Sequence, residues 1–312
     1  MKTTVVSIII PTRNRKVFLK EAIDSVLSQT YKNIELIITD DNSTDGTEEF
    51  VKDYLKNKKI NYKFVKNKKY LPGPNGNKNN GFDYMTGELI AILDDDDKLF
   101  PQAIQWLVRT YYKTGYRQII ADQIYSSNNK VAGISNVKGN IITFKDVLTD
   151  QISGHFTGLF HKSLLGNKRF DDRQWGAECN LWWHFNKEED MYYLNKTVYW
   201  YRIHQGSVCF KLDNIPRRII NYKNTIKDFS QDFLKYNPQK LGQSYFSLSL
   251  LYAIEKEYKN AKKSYTLSRK YLGFNVINLI KYVICLHTPR KLFSKLFNIK
   301  EKVNFYLREM LN

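Results

Sequence analysis

The chain has 312 residues and a formal net charge of +18, from 49 Lys+Arg against 31 Asp+Glu. Its 42 % hydrophobic and 14 % aromatic content can build a sizeable core, which argues against disorder over most of the length. Cys179, Cys209 and Cys285 leave one thiol unpaired in any disulfide scheme and show no metal-knuckle spacing, so a reducing compartment is expected rather than a disulfide-stapled scaffold.

No signal peptide is expected, because Val5 to Pro11 already reads as a strand: a short, mostly β-branched run stopped by a proline. Phe18, Ala22, Val26 and Leu27 recur at helical spacing, and Ile34 to Thr39 reads as a second buried strand. Ser43-Thr44-Asp45-Gly46-Thr47 turns the chain into a helix towards Leu55, and a third strand is expected at Ile60 to Val65. The stretch LPGPNGNKNNG at 71–81 is rich in Gly, Pro and Asn. Its part from 73 to 81 could cradle phosphates, although it does not match GxxxxGK[ST] and a P-loop is rejected. A short helix about Phe82 to Met85 then precedes a strand at Leu89 to Leu93.

This alternation is the spacing of a parallel sheet covered on both faces, and in such sheets the ligand crevice lies outside the carboxyl ends of the strands. Asp40-Asp41 and Asp94 to Asp97 both fall at such ends, so the two acid groups are expected to share one crevice. From about 102 to 210 the pattern is less regular, with strands expected at Ile119 to Asp122 and Tyr199 to Arg202 and a helix at Glu178 to Phe185. After Pro216 the chain reads as mainly helical, with a break near Thr288-Pro289. The apolar piece Phe274 to Leu286 is interrupted by Asn and Lys and falls short of the roughly 18 uncharged residues a spanning helix needs. It fits an interfacial helix, with Lys281, His287, Arg290, Lys291 and Lys295 towards phosphate headgroups; packing on the rest of the protein is the alternative.

The positive charge is concentrated in this last region, where Lys211 to Asn312 carries 20 Lys+Arg against 7 Asp+Glu. Such a tail suits a polyanionic partner, and a well-solvated helical surface is the plainer reading. No helix-turn-helix, RNA-recognition or zinc-finger pattern is present, so nucleic acid is not the expected partner.

The stretch ELIAILDDDD, residues 88–97, aims four carboxylates at the crevice. Adjacent carboxylates raise one another's pKa unless a cation compensates, and a hard divalent ion that also meets substrate phosphates would do so. Residues two apart on an extended segment share a side, so Asp94 and Asp96 are expected to reach one site while Asp95 turns elsewhere or meets a ribose. Asp97 is expected to cap the helix that starts near Phe100-Pro101. Asp41 could accept a hydrogen bond from a base or contact a ribose, and Lys78 offers a point charge to a diphosphate.

Taken together, VSIIIPTRNR (6–15), SVLSQTYKNIELIITDDNSTDGT (25–47), GNKNNGFDYMTGELIAILDDDDKLFP (76–101), GAECNLWWHF (176–185) and YRIHQGSV (201–208) resemble a family-2 glycosyltransferase of the GT-A fold. They cover about the first 210 residues in family order, and no one of them is specific alone. The resemblance implies an α/β GT-A nucleotide-sugar-binding fold, a mostly parallel central sheet flanked by helices, over 1–212. A basic, mainly helical region would follow at 213–312, serving membrane association or oligomerisation. It also implies transfer from a nucleotide-diphosphate sugar with inversion at the anomeric carbon.

By this resemblance Pro11, Thr12 and Arg13 would line the nucleotide pocket, Asp41 would read a uracil, and Lys78 would stand near the nucleotide where the family often has Arg. Asp94 and Asp96 would be the ends of the DxD motif that holds Mn²⁺ or Mg²⁺, Asp96 as the direct ligand, with Asp95 near the ribose. Glu178 would be the general base, although Ala177 precedes it where many members have Glu before an Asp base. His204, in the YRxH element, would touch the metal or the β-phosphate. His155, Trp182 and Trp183 would border the sugar and acceptor sites, or serve as local structure and core. Within the family the chain is similar to transferases of bacterial N-glycan, lipooligosaccharide and capsule assembly. That implies a UDP-sugar donor, UDP-glucose favoured, a glycan acceptor on a lipid carrier, and peripheral attachment to the inner face of the cell membrane. A catalytically weak nucleotide-sugar binder or scaffold subunit of an assembly complex is the alternative.

Overall fold

The structure, a computed structural model, describes residues 4–174, 178–203, 215–289 and 292. It divides the chain into two compact units, 1–203 and 204–312.

The first unit opens with the expected alternation: β1 (Val6–Thr12), α1 (Lys16–Leu27), β2 (Ile34–Asp40), α2 (Thr47–Leu55), β3 (Asn61–Lys66), α3 (Pro74–Tyr84) and β4 (Leu89–Ile92). It continues through β5 (Lys98–Leu99), α4 (Ala103–Thr114), β6 (Gln118–Tyr125), β7 (Gly133–Ser135), β8 (Ile141–Ile142) and α5 (Phe144–Leu148). The last elements are β9 (Ile152–Gly154), β10 (Phe156–His161), α6 (Lys162–Leu165), α7 (Cys179–Glu188) and β11 (Met191–Tyr201). Nine strands form one sheet in the order β3-β2-β1-β4-β10-β6-β11-β5, with β8 on β11, while β7 and β9 pair separately. The pairs β3-β2, β2-β1, β1-β4 and β6-β11 are parallel; β10 runs antiparallel to both its neighbours. This is an α/β sheet, mostly parallel, flanked by helices.

Every residue of β1 and β2 is buried, as runs of Ile and Val covered on both faces require. One face packs against α1 through Leu19, Ala22, Ile23 and Val26, the i, i+3, i+4, i+7 stripe of an amphipathic helix. The other face joins Ile9, Ile37 and Ile90 to Phe82, Phe160, Phe170 and Phe185.

Here the structure moves the start of the helix expected about Phe82 to Met85 back into the stretch 73–81. The segment is most of α3, and Asn75 to Phe82 are all buried. Asn and Gly are poor helix formers, so tertiary bonds hold the helix. Asn77 donates to the Thr12 and Thr39 carbonyls, Asn80 to Thr39 Oγ1, and Asn79 exchanges bonds with Phe170. Gly81 lets α3 approach the sheet, since a Cβ there would stand 2.4 Å from Ile9 Cγ2.

The second unit contains α8 (Ile215–Tyr236), α9 (Pro238–Ile254), α10 (Tyr258–Leu272) and α11 (Val276–His287). Its own core includes Ile219, Leu248, Tyr252, Tyr265, Tyr282 and Cys285, with the Tyr265 and Tyr282 rings stacked at 4.4 Å. Among the described residues no helix is long and apolar enough to cross a membrane.

Candidate active site

Because β1, β2 and β4 are parallel, Thr12, Asp41 and the acidic stretch after β4 emerge at the same edge of the sheet. Thr12 is buried, and its hydroxyl donates to Asp95 Oδ2 at 2.8 Å. Pro11 is buried beside it, while the Arg13 side chain is half exposed and lies 3.6 Å from Asp41. Asp41 is itself buried and accepts from Gly73 N at 2.9 Å and Asn67 Nδ2 at 3.2 Å, so its carboxylate ties β2 to the entry of α3. Its neighbour Asp40 is a local device, accepting from the backbone and hydroxyl of Ser43.

The four acids do not continue the strand. Asp97 N donates to Asp94 O at 3.1 Å, closing a turn, so extended alternation does not decide which carboxylates meet. Asp94 faces Lys78 at 2.9 Å, whereas Asp95 and Asp96 both pair with Arg15, at 3.0 and 2.7 Å. Burial pushes the Asp95 carboxyl up to about 7; Arg15 pulls it down and Asp96 pushes it further up. Burial works against the Arg15 guanidinium too, yet Asp95 and Asp96 outweigh it and hold the group above its ordinary value.

Asp97 is not a helix cap. Gln102 stands at the N-cap of α4 and makes no side-chain cap bond. Asp97 is buried and accepts from Tyr199 Oη at 2.8 Å and Arg202 N at 2.7 Å. Tyr199 Oη in turn accepts from Asp94 N at 3.2 Å, so one buried phenol braces both ends of the acidic turn. Burial, with the neighbouring carboxylates of Asp94 and Asp96, drives Asp97 well above the usual carboxylate range, and Tyr199 is raised for the same reason. Glu21 completes the surround by pairing with Arg202 and Lys98.

Lys78 projects from α3 and is almost wholly buried, with its ammonium 2.9 Å from Asp94 and 2.5 Å from Glu178 Oε1. Burial works against the charge, but the two carboxylates outweigh it, so Lys78 is held above its ordinary value and stays cationic. Glu178 stands at the head of α7 with its side chain partly exposed. A cavity of about 280 Å³ opens beside this junction, lined among others by Lys78, Asp94, Glu178, Trp182, Trp183 and Tyr199. Trp182 stacks edge-on among Phe160, Phe170 and Phe185, at 5.4 to 5.5 Å, which makes it core as well as cavity wall. Trp183 packs against the cluster of Ile142, Val147, Ile152 and Met191.

His155 is exposed, stacks on Tyr201 at 4.8 Å, and is not among the cavity-lining residues. His204, Cys209, Ala177, Arg290, Lys291 and Lys295 lie outside the described residues. Among the described residues no group of three or more His, Cys, Asp or Glu is gathered as a metal site. The oxygen donors Asp94 and Asp96 nevertheless suit a hard divalent ion of the kind held by one or two carboxylates and completed by substrate phosphates. Arg15, Tyr199 and Arg202 carry no functional signal in the sequence, and Asp97 reads there only as a helix cap. Arg15 lies inside PTRNR, but nothing in a linear reading pairs Tyr199 with Asp97.

The description Glycosyl transferase family 2 matches residues 7–160, the stretch from β1 into β10. The chain is 34 % identical over 305 residues to the GalNAc(5)-diNAcBac-PP-undecaprenol beta-1,3-glucosyltransferase of Campylobacter jejuni, covering 94 % of this chain and 97 % of that one. It is 27 % identical over 269 residues to the UDP-Glc:alpha-D-GlcNAc-diphosphoundecaprenol beta-1,3-glucosyltransferase WfgD of Escherichia coli, covering 84 % of this chain and 100 % of that one. Among solved structures, S. aureus TarS 1-349 in complex with UDP-GlcNAc superposes with a TM-score of 0.60 at 18 % identity, over 90 % of this chain and 79 % of that one. The Pyrobaculum calidifontis mannosyltransferase PcManGT, in complex with GDP-Man and Mn²⁺, superposes with a TM-score of 0.52 at 15 % identity, over 96 % and 86 %. These last two are likenesses of fold. One-third identity sustained over nearly the whole of a glucosyltransferase, together with the family match over 7–160, means that the chain belongs to glycosyl transferase family 2.

Proposed function

We propose that the protein is an inverting hexosyltransferase that moves a sugar, glucose favoured, from a UDP-sugar to a hydroxyl of a glycan carried on a lipid diphosphate. The observation that carries this reading is the buried junction of Lys78 with Asp94 and Glu178 on the cavity wall. In this reading it would supply a carboxylate for the acceptor, a cation for the leaving group and, with the acidic turn, oxygen donors for a metal. The near-full-length likeness to an undecaprenol-linked glucosyltransferase supports the substrate class.

In this reading Glu178 takes the proton from the acceptor hydroxyl as that oxygen attacks C1. Lys78 holds Oε1, which leaves Oε2 for the hydroxyl. The C1–O bond to the diphosphate breaks and its electron pair goes to the β-phosphate oxygen, where the Lys78 ammonium offsets the developing charge. Asp94 and Asp96 would hold Mn²⁺ or Mg²⁺, and such an ion, when bound, neutralises diphosphate charge. Arg15 and the Tyr199–Asp97 pair hold the acidic turn in place. Asp41, Arg13 and Thr12 would border the nucleotide. The basic C-terminal region supports a place of work on the inner face of the cell membrane.

Nucleotide release from UDP-glucose, UDP-galactose, UDP-N-acetylhexosamines and GDP-mannose, with polyprenyl-diphosphate glycans and with Mn²⁺ or EDTA, tests the reading. UDP-glucose is expected to turn over fastest, EDTA to abolish turnover, and Asp96→Ala to lose it while staying folded. Turnover undiminished in EDTA, or a preference for GDP-sugars, would overturn the metal or the donor assignment respectively.

A further inference from the structure

Helix α11 is apolar on two sides, and among the described residues only one of them is packed. Leu279, Tyr282, Cys285 and Leu286 pack into the core of the second unit. Val276, Ile277, Ile280, Val283 and Ile284 are instead 42 % to 62 % exposed, and Phe274 just before the helix is 60 % exposed. At 3.6 residues per turn these five positions fall within an arc of about 120°, facing away from the packed side. A row of that size left in water is a recognition surface rather than scatter.

The charge of the same stretch of chain identifies the occupant, and Arg269 of α10 stands over the Phe274 ring at 5.3 Å. From Tyr258 to His287 the sequence holds six Lys+Arg and no Asp or Glu. Lys259, Lys262, Lys263, Arg269, Lys270 and Lys281 are all exposed. A second copy of the chain meeting this face by two-fold symmetry would set six cations against six, which disfavours a dimer. An anionic bilayer presents what the face lacks: acyl chains for the apolar arc and phosphate headgroups for the cations. Asn275 caps the helix by accepting from Asn278 N, and Lys256 closes its other end by donating to the Leu286 and Thr288 carbonyls. One donor of the first turn and one carbonyl of the last are therefore bonded within the protein. The 12 residues of α11 span only about 18 Å, well short of a bilayer core, so the helix lies in the plane of the interface.

We infer that the exposed face of α11, with the cations of α10 and Lys281, docks the protein on an anionic lipid surface. This gives the proposed transfer to a lipid-carried glycan its location. The test needs no transfer reaction, so either inference can fail alone.

Full-length protein is sedimented with vesicles of pure phosphatidylcholine or of phosphatidylcholine with 30 % phosphatidylglycerol. Binding is expected to be at least about 10-fold stronger to the anionic vesicles and to weaken with salt. The surface triple variant Ile277→Asp, Ile280→Asp and Ile284→Asp is expected to lower the partition coefficient at least about 100-fold. Lys262→Glu with Lys263→Glu and Lys270→Glu should remove the preference for anionic lipid. Should the triple variant misfold, Phe274→Trp keeps the question open to measurement, because its emission should shift to the blue on anionic vesicles. Equal binding by wild type and a folded triple variant, or an emission unmoved by vesicles, would overturn the proposal. So would a wild-type dimer in solution that the triple variant breaks while neither binds lipid.

Discussion

Replacing Lys78 by Met keeps the length of the side chain and removes its charge from a site where it is almost entirely shielded from water. The ammonium lies 2.9 Å from Asp94 and 2.5 Å from Glu178, so Lys78→Met leaves two carboxylates facing each other. With about 5 Å between them across the missing charge and an effective dielectric of about 20, their repulsion is about 3 kcal/mol. Both carboxylates remain partly exposed, at 45 % and 31 %, so water screens them. A stability loss of about 1–2 kcal/mol is therefore expected, below the 3–5 of a fully buried broken pair. The effect on transfer is larger, because the departing diphosphate loses a fixed cation; kcat is expected to fall about 10²- to 10³-fold. Urea midpoints measure the first quantity and initial rates of UDP release the second, with Lys78→Arg as the control that restores charge. A folded Lys78→Met enzyme turning over within about threefold of wild type would refute the role given to Lys78.

Three further outcomes follow from other parts of the fold. Tyr199→Phe strips Asp97 of a donor and Asp94 N of its acceptor, and should cost about 1–3 kcal/mol and weaken Mn²⁺-dependent turnover; unchanged urea midpoint and Mn²⁺ dependence would contradict the brace. Gly81→Ala sets a methyl 2.4 Å from Ile9 Cγ2 and should destabilise by about 1–3 kcal/mol; a variant as stable as wild type would mean that α3 can move off the sheet. Glu35 is buried, which by itself would raise its pKa, but bonds from Lys63, Ser7 and Thr86 N prevail and hold it below the usual carboxylate range. A carboxylate depressed on folding stabilises fully above its unfolded pKa of about 4.3, and that contribution is lost as pH falls through the folded value. The stability gap between wild type and Glu35→Gln should accordingly shrink as the medium is acidified from pH 6 towards pH 3, and a gap independent of pH would exclude the bond network as its source.

The strands β1, β2 and β4 are legible because burial on both faces demands a mostly apolar run, a signal contained within four to seven residues. The position of Asp94 to Asp97 at a strand end follows from the same runs, as does Glu178 at the head of a helix. Segment 73–81 misleads because its Gly and Asn residues carry the local signature of a loop. The bonds that make it a helix come from Thr12, Thr39 and Phe170, between 38 and 91 residues away along the chain. His155 stacks on Tyr201, while its neighbours Gly154 and Phe156 line the cavity, a distinction between adjacent residues that the linear pattern does not carry.

By itself the order of apolar runs and breakers determined an α/β sheet with its acids at one edge, and the charge count determined a strongly basic C-terminal region. Only the tertiary structure decided which cation meets which carboxylate: Lys78 with Asp94 and Glu178, Arg15 with Asp95 and Asp96, and Tyr199 beneath the turn. The reason is physical. Burial patterns repeat with the local period of a strand or helix, whereas these ion pairs and hydrogen bonds depend on the distance between atoms that lie up to 102 residues apart in the chain.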